Sequence, residues 1–264
     1  MRRLNFWHTL AVLLLAIYFA SIFFFALRPL LGWRIPVFLG PISTLFVWAF
    51  AVLHSWRALG WRRALTFFAI AFVVGLALEA IGVATGWVYG GYHYSERLGF
   101  MLFGVPVLIP LAWFMVIYLA DCLRQKLIGD RSLLWSSVIG AVAATAWDVV
   151  ADPQMARTGL WIWDRGGDFF GVPIQNFVGW WITSFVVLIL YHTVARTLPP
   201  QPITDQSPSF ALLPVIAYSG LALSFIIGYL GQGEGALAVI TFFTMGAISL
   251  IALAKPFGFV VETQ

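Results

Sequence analysis

Eight apolar runs, each long enough to cross a bilayer as a helix, limit what this chain can fold into. They fall at roughly 7–27, 36–54, 64–84, 101–120, 133–151, 174–195, 210–230 and 236–254. A spanning helix needs about 20 mostly apolar residues, because the hydrocarbon core is roughly 30 Å thick. The composition agrees: 61% of the residues are hydrophobic and 10% are charged, against about 25% charged in soluble domains. A soluble globule of this size cannot hide that much apolar surface. The expected fold is all-α, a polytopic transmembrane bundle of about eight spans forming one integral membrane domain over 1–264. The last pair of spans is divided only by "GYLGQGEGA", and "RTLPPQPITDQSPS" (Arg196–Ser209) reads as a polar connector. Arg2 and Arg3 precede the first run, which is long for a signal peptide and has no clear small-x-small cleavage site. It reads as a retained first span, with a cleaved signal as the alternative.

Charge placement gives an orientation. Arg2, Arg3, Arg57, Arg62, Arg63, Arg124, Lys126, Arg131, Arg196 and Lys255 fall on the N-terminal side of the spans. Arg28, Arg34, Arg97, Arg157 and Arg165 fall on the other. Ten of the 15 basic residues on one side predict that both termini are cytoplasmic, by the positive-inside rule. Acids show the reverse bias: Glu79, Glu96, Asp148, Asp152, Asp164, Asp168 and Glu234 lie toward the outer side. The basic residues form no cluster suited to nucleic acid. Cys122 is the one cysteine, so no disulfide can form within the chain.

Two stretches of the sequence resemble each other. One begins at Glu79, "EAIGVATGWVYGGYHYSERLGFMLFGVPVLIPLAW"; the other begins at Asp152, "DPQMARTGLWIWDRGGDFFGVPIQNFVGW". In both, the acid is followed six residues later by Thr-Gly, then by a tryptophan (Trp87, Trp161), then by Gly-Val-Pro. A further tryptophan stands nine residues after that glycine, at Trp113 and Trp180. This predicts a parallel internal repeat, spans 3–4 and 5–6, with Glu79 and Asp152 at equivalent places facing a shared cavity.

The acids are the candidate chemistry. Glu79 sits inside an apolar span, where a carboxylate is costly unless it is paired, protonated or wet; a helix-locking hydrogen bond is the structural alternative. Asp148 and Asp152 are four residues apart and can share a helical face, and two carboxyls so close keep a proton available. Pro153 suggests another role, in which the helix stops near Ala151 and Asp152 caps a short new one. Asp164 and Asp168 flank "RGG" and read as turn residues, solvated or paired with Arg165. Trp87, Tyr89, Tyr92, Tyr94, Trp161, Trp163, Phe169 and Phe170 crowd the two outer connections. They suit an interfacial aromatic belt or a cavity wall whose π faces shelter a cation, by around 2 kcal/mol when desolvated. Acids among aromatic walls at membrane depth suggest protonation of an apolar alkene. His8, His54, His93 and His192 have no metal-ligand spacing, and there is no serine nucleophile elbow. "DVVAD" imitates the DxxxD of membrane prenyltransferases but lacks their second Asp-rich motif.

The blocks "EAIGVATGWVYGGYHYSERLGFMLFGVPVLIPLAW" and "WDVVADPQMARTGLWIWDRGGDFFGVPIQNFVGWW" resemble the signature regions of the multi-spanning carotenoid biosynthesis proteins. That family includes membrane γ-carotene 1',2'-hydratases and bisanhydrobacterioruberin hydratases. The resemblance covers about residues 75–190. It implies addition of water to a terminal ψ-end double bond, with a carotenoid substrate, no redox cofactor or metal, and other carotenoid pathway enzymes as potential partners. On that reading Asp152 or Glu79 supplies the proton, and Trp87, Tyr92, Trp161 or Trp163 faces the cation. Asp148, Asn176 or His93 holds the water, and Gln175 stands beside Asn176 at the cavity mouth. Tyr89, Trp113 and Trp180 complete the expected substrate-binding wall. Cyclisation through the same cation, pigment binding without chemistry, and transport are the other readings.

Overall fold

The structure, a computed structural model, describes residues 6–33, 39–129, 131–199 and 207–256. Arg2, Arg3, Arg34, both chain ends and the middle of the Arg196–Ser209 connector lie outside the described residues. Among the described residues, eight helices have the length and hydropathy to cross a membrane. They are α1 (Phe6–Leu31), α2 (Leu39–Leu59), α3 (Trp61–Thr85), α4 (Leu108–Ile128), α5 (Leu133–Arg157), α6 (Ile174–Ala195), α7 (Pro208–Gly231) and α8 (Gly235–Ala254). The all-α multi-pass bundle expected from the sequence is what the chain forms. The doubtful last pair is two helices, and α8 carries a π-helical turn at Phe242–Gly246.

Four helices close a ring: α3 packs on α4 and α6, and α5 packs on the same two. On its flank, α1 lies against α2 and α7, and α7 lies against α4. Close approach depends on glycine. Tyr89 wedges between α3 and α6 where Gly82 and Gly179 leave room, and a methyl group on Gly179 would lie 2.5 Å from the Val88 carbonyl oxygen. The Tyr89 hydroxyl meets Thr183 Oγ1 at 2.8 Å.

Two boundaries differ from expectation. The fourth span begins at Leu108 rather than near residue 101, because Met101–Leu102 (β2) and Val105–Pro106 (β3) form a small hairpin. Its turn, Phe103-Gly104, has positive φ at both residues (54° and 79°), as a tight I′-type hairpin requires. The second Gly-Val-Pro copies this turn. Phe170 and Gly171 have φ of 50° and 90°, and Phe169 bridges Val172. The other difference is at Pro153, which does not end α5; the helix runs on to Arg157, so Asp152 is a residue within the helix and not a cap. Proline withholds one helical N–H. The carbonyl left without its helical donor is that of Val149, four residues back; one residue on, Tyr229 of α7 donates to the Val150 carbonyl at 2.5 Å and ties α7 to this stretch of α5.

The connections after α3 and α5 join each other. Tyr92–Tyr94 (β1) and Trp161–Trp163 (β4) pair antiparallel, with Tyr92 opposite Trp163, His93 opposite Ile162, and Tyr94 opposite Trp161. This two-stranded strap crosses the end of the ring on the side where α3 and α5 finish.

Candidate active site

Beneath the strap lies a cavity of about 660 Å³, walled by α1, α2, α7 and the four-helix ring. Its lining is mostly apolar, and Glu79, Asp148 and Asp152 all face it. The three acids are 4%, 3% and 1% exposed. Glu79 and Asp152 therefore share one chamber. Buried carboxyls of this kind require hydrogen-bond partners, and each has them.

Glu79 takes three donors. Tyr92 and Tyr94 hydroxyls reach Oε2, the latter at 2.7 Å, and Trp113 Nε1 reaches Oε1 at 2.9 Å. The strap explains the first two, because side chains two residues apart on a strand point to the same face. Burial, and then the Glu79 carboxylate, push both phenols far above the ordinary tyrosine range. They are fixed donors. The second group of acids is built differently. A single nitrogen, Asn176 Nδ2 at the start of α6, donates to Asp148 Oδ2 and to Asp152 Oδ2, both at 2.6 Å. Trp161 Nε1 donates to Asp152 Oδ1. Of the six carboxyl oxygens, Asp148 Oδ1 is the one that takes no protein hydrogen bond among the described residues.

Aromatic rings complete the wall. Trp113 and Trp180 meet at a tilt of 33° with centroids 4.0 Å apart, and Tyr92 lies 5.0 Å from Trp163. The site thus offers a carboxyl pair with one open oxygen, a third carboxyl saturated with donors, and π faces between them. That combination can move a proton and tolerate transient positive charge.

Residues 39–248 match the family model described as "Carotenoid biosynthesis protein". The chain belongs to this family. The matched region runs from α2 into α8 and contains all three acids and every residue that hydrogen-bonds to them. The chain is also 34% identical over 146 residues to the bisanhydrobacterioruberin hydratase of Haloarcula japonica, a match covering 52% of this chain and 50% of that protein. In this match the chain spans about half the length of its relative. No solved structure matches the chain.

In this carotenoid biosynthesis protein, Tyr89, Tyr92, Trp113, Trp161, Trp163, Asn176 and Trp180, all singled out in the sequence, are brought together around the cavity. Three other expected residues are not. Trp87 is 82% exposed and lies outside the cavity lining; Trp161 is joined through the strap to Tyr94 rather than mirrored by Trp87. His93 occupies the opposite face of β1 from Tyr92 and Tyr94, and pairs with Asp164 at 3.3 Å, both largely exposed. Asp164 therefore pairs with this histidine and not with Arg165. Gln175 is also exposed, and its amide clamps the Gly86 and Trp87 carbonyls at 3.1 and 2.5 Å. Tyr94 was legible only as one more loop aromatic, yet it bonds Glu79. The missed signal is the alternation in "YHY" and "WIW", period two rather than 3.6. Trp147 and the walls supplied by α1 and α7 were missed as well: Tyr18, Arg28, Ser224 and Tyr229 line the cavity, but nothing in their spacing along the chain ties them to the acids.

Proposed function

We propose that this protein is a carotenoid hydratase that adds water across the terminal 1,2 double bond of an acyclic ψ-end carotenoid. One observation carries the reading: two buried carboxyls rest on one amide nitrogen, and of their four oxygens Asp148 Oδ1 alone takes no protein hydrogen bond among the described residues, in a residue that lines an aromatic cavity. Family membership and the relative's name support it.

In the proposed mechanism, Asp148 gives its proton to C2 of the alkene. The C1=C2 π electrons form the new C2–H bond, and C1 becomes a tertiary cation. Water forms the C1–O bond, and its surplus proton returns to the Asp148–Asp152 pair, which ends the cycle as it began. Asn176 keeps the two carboxyls in register, so general acid and general base are one unit. The sequence suggested Asp152 or Glu79 as donor; the open oxygen favours Asp148. Addition of water leaves the overall oxidation state unchanged, so the reaction as written uses no redox cofactor. The rod-shaped substrate enters from membrane lipid.

The test is expression in a bacterium making lycopene or γ-carotene, followed by mass analysis of the pigments. We expect products heavier by one water, and none from Asp148→Asn at equal protein level. Cyclised pigment of unchanged mass would point to a cyclase, unaltered but co-purifying pigment to a binding protein. Either result, or full hydration by Asp148→Asn, overturns the proposal.

A further inference from the structure

Glu79 differs from the aspartate pair in a way that the proton chemistry does not use. It is buried, and its two oxygens face three donors, of which the Trp113 indole can only donate. Such surroundings match an anion. A buried anion ordinarily finds a cation, yet among the described residues no lysine, arginine or histidine nitrogen lies within 4.0 Å of Glu79. The two guanidinium groups on the cavity wall do not serve it: Arg157 pairs with Glu234 at 2.8 Å, and Arg28 stands on the last turn of α1. What faces Glu79 across open space is the cavity itself, with Trp113, Trp163 and Trp180 around it.

We infer that Glu79 is the fixed negative charge of a cation site, built to receive a ligand that carries its positive charge at the end of an apolar chain. In the proposed reaction that ligand is the tertiary carbocation, so the inference rests on the hydratase reading and assigns Glu79 a role distinct from proton donation. A stable amine should bind there as well. Glu79 touches the reacting end and no proton passes through it.

The probe is an acyclic isoprenoid chain ending in a dimethylamino group, whose protonated nitrogen stands in for C1. Its control is the same chain ending in isopropyl. Binding to detergent-solubilised protein is read by quenching of tryptophan fluorescence. We expect wild type to bind the amine at least tenfold tighter than the hydrocarbon. Glu79→Gln should erase that preference and leave hydrocarbon affinity intact, whereas Asp148→Asn keeps it. The inference is overturned if wild type shows no preference, if Glu79→Gln retains it, or if the preference vanishes with Asp148→Asn instead. Should Glu79→Gln lose both ligands, the infrared carboxyl spectrum of wild type minus Tyr94→Phe decides the matter. A perturbed carboxylate band supports the charged form, and a perturbed protonated carboxyl band overturns it. Failure of the hydratase reading is visible separately, as unaltered pigment in cells with the amine preference still present.

Discussion

In the proposed chemistry Asn176 is the pivotal residue, because its one amide nitrogen donates to two carboxyls at once. Replacing it by leucine keeps the volume and removes the donor, leaving two acids in apolar surroundings. We expect activity in pigment-producing cells to fall by about 10²-fold or more, in line with general acid–base contributions of roughly 10²–10⁴. Unchanged pigment yield from Asn176→Leu would remove Asn176 from the mechanism. By contrast, Trp87→Ala and His93→Ala should leave product ratios unchanged, since both side chains lie outside the cavity. Gln175→Ala should act on stability alone, by about 1 kcal/mol for its backbone clamp, measurable as a lower melting temperature with normal product. At this scale the sequence was most legible where a residue offended its surroundings. An acid or amide in an apolar span has to be explained, which singled out Glu79, Asp148, Asp152 and Asn176. It was least legible in the connections, where the residue type is visible and its direction is not; Trp87, His93 and Gln175 are the result.

Elements carry a different kind of information. Periodicity and length gave the helices, but their ends depended on local features: a positive-φ Phe-Gly turn holds residues 101–106 out of α4, and the Tyr229 phenol ties α7 to α5 beside Pro153. Tyr229→Phe leaves the ring and removes that bond. It should cost about 1 kcal/mol, seen as earlier unfolding in detergent, with greater loss of hydration than an equally destabilising change far from Asp152. Gly179→Ala forces a methyl group against the Val88 carbonyl and the Tyr89 ring, and overpacking of that kind costs about 1–3 kcal/mol. A melting temperature equal to wild type would show that α3 and α6 separate easily. The strap has its own signature. Burial raises the Tyr92 and Tyr94 phenols, so their contribution to stability is complete below the free phenol value of about 10. It declines as pH climbs beyond that. Alkaline unfolding should therefore begin above that point and be less steep in Tyr94→Phe.

For the whole molecule, hydropathy alone identified a multi-pass bundle, whereas the walls of the cavity depend on which helices meet. Nothing in the apolar runs of α1 and α7 marks them as its sides. The cytoplasmic placement of both termini remains a proposal from the distribution of basic residues. With Cys122 replaced by alanine, a membrane-impermeant maleimide applied to intact cells should label Asp164→Cys and spare Arg131→Cys. The opposite pattern inverts the topology. The β1–β4 pairing also bears on how the protein is made. Its partners belong to helical hairpins translated in succession, so the first half-cavity must wait in the bilayer, open at one end, until the second crosses and zips to it. A ribosome stalled before α6 would leave Glu79 in place and no chamber to contain it, and neither hairpin can be expected to handle pigment by itself.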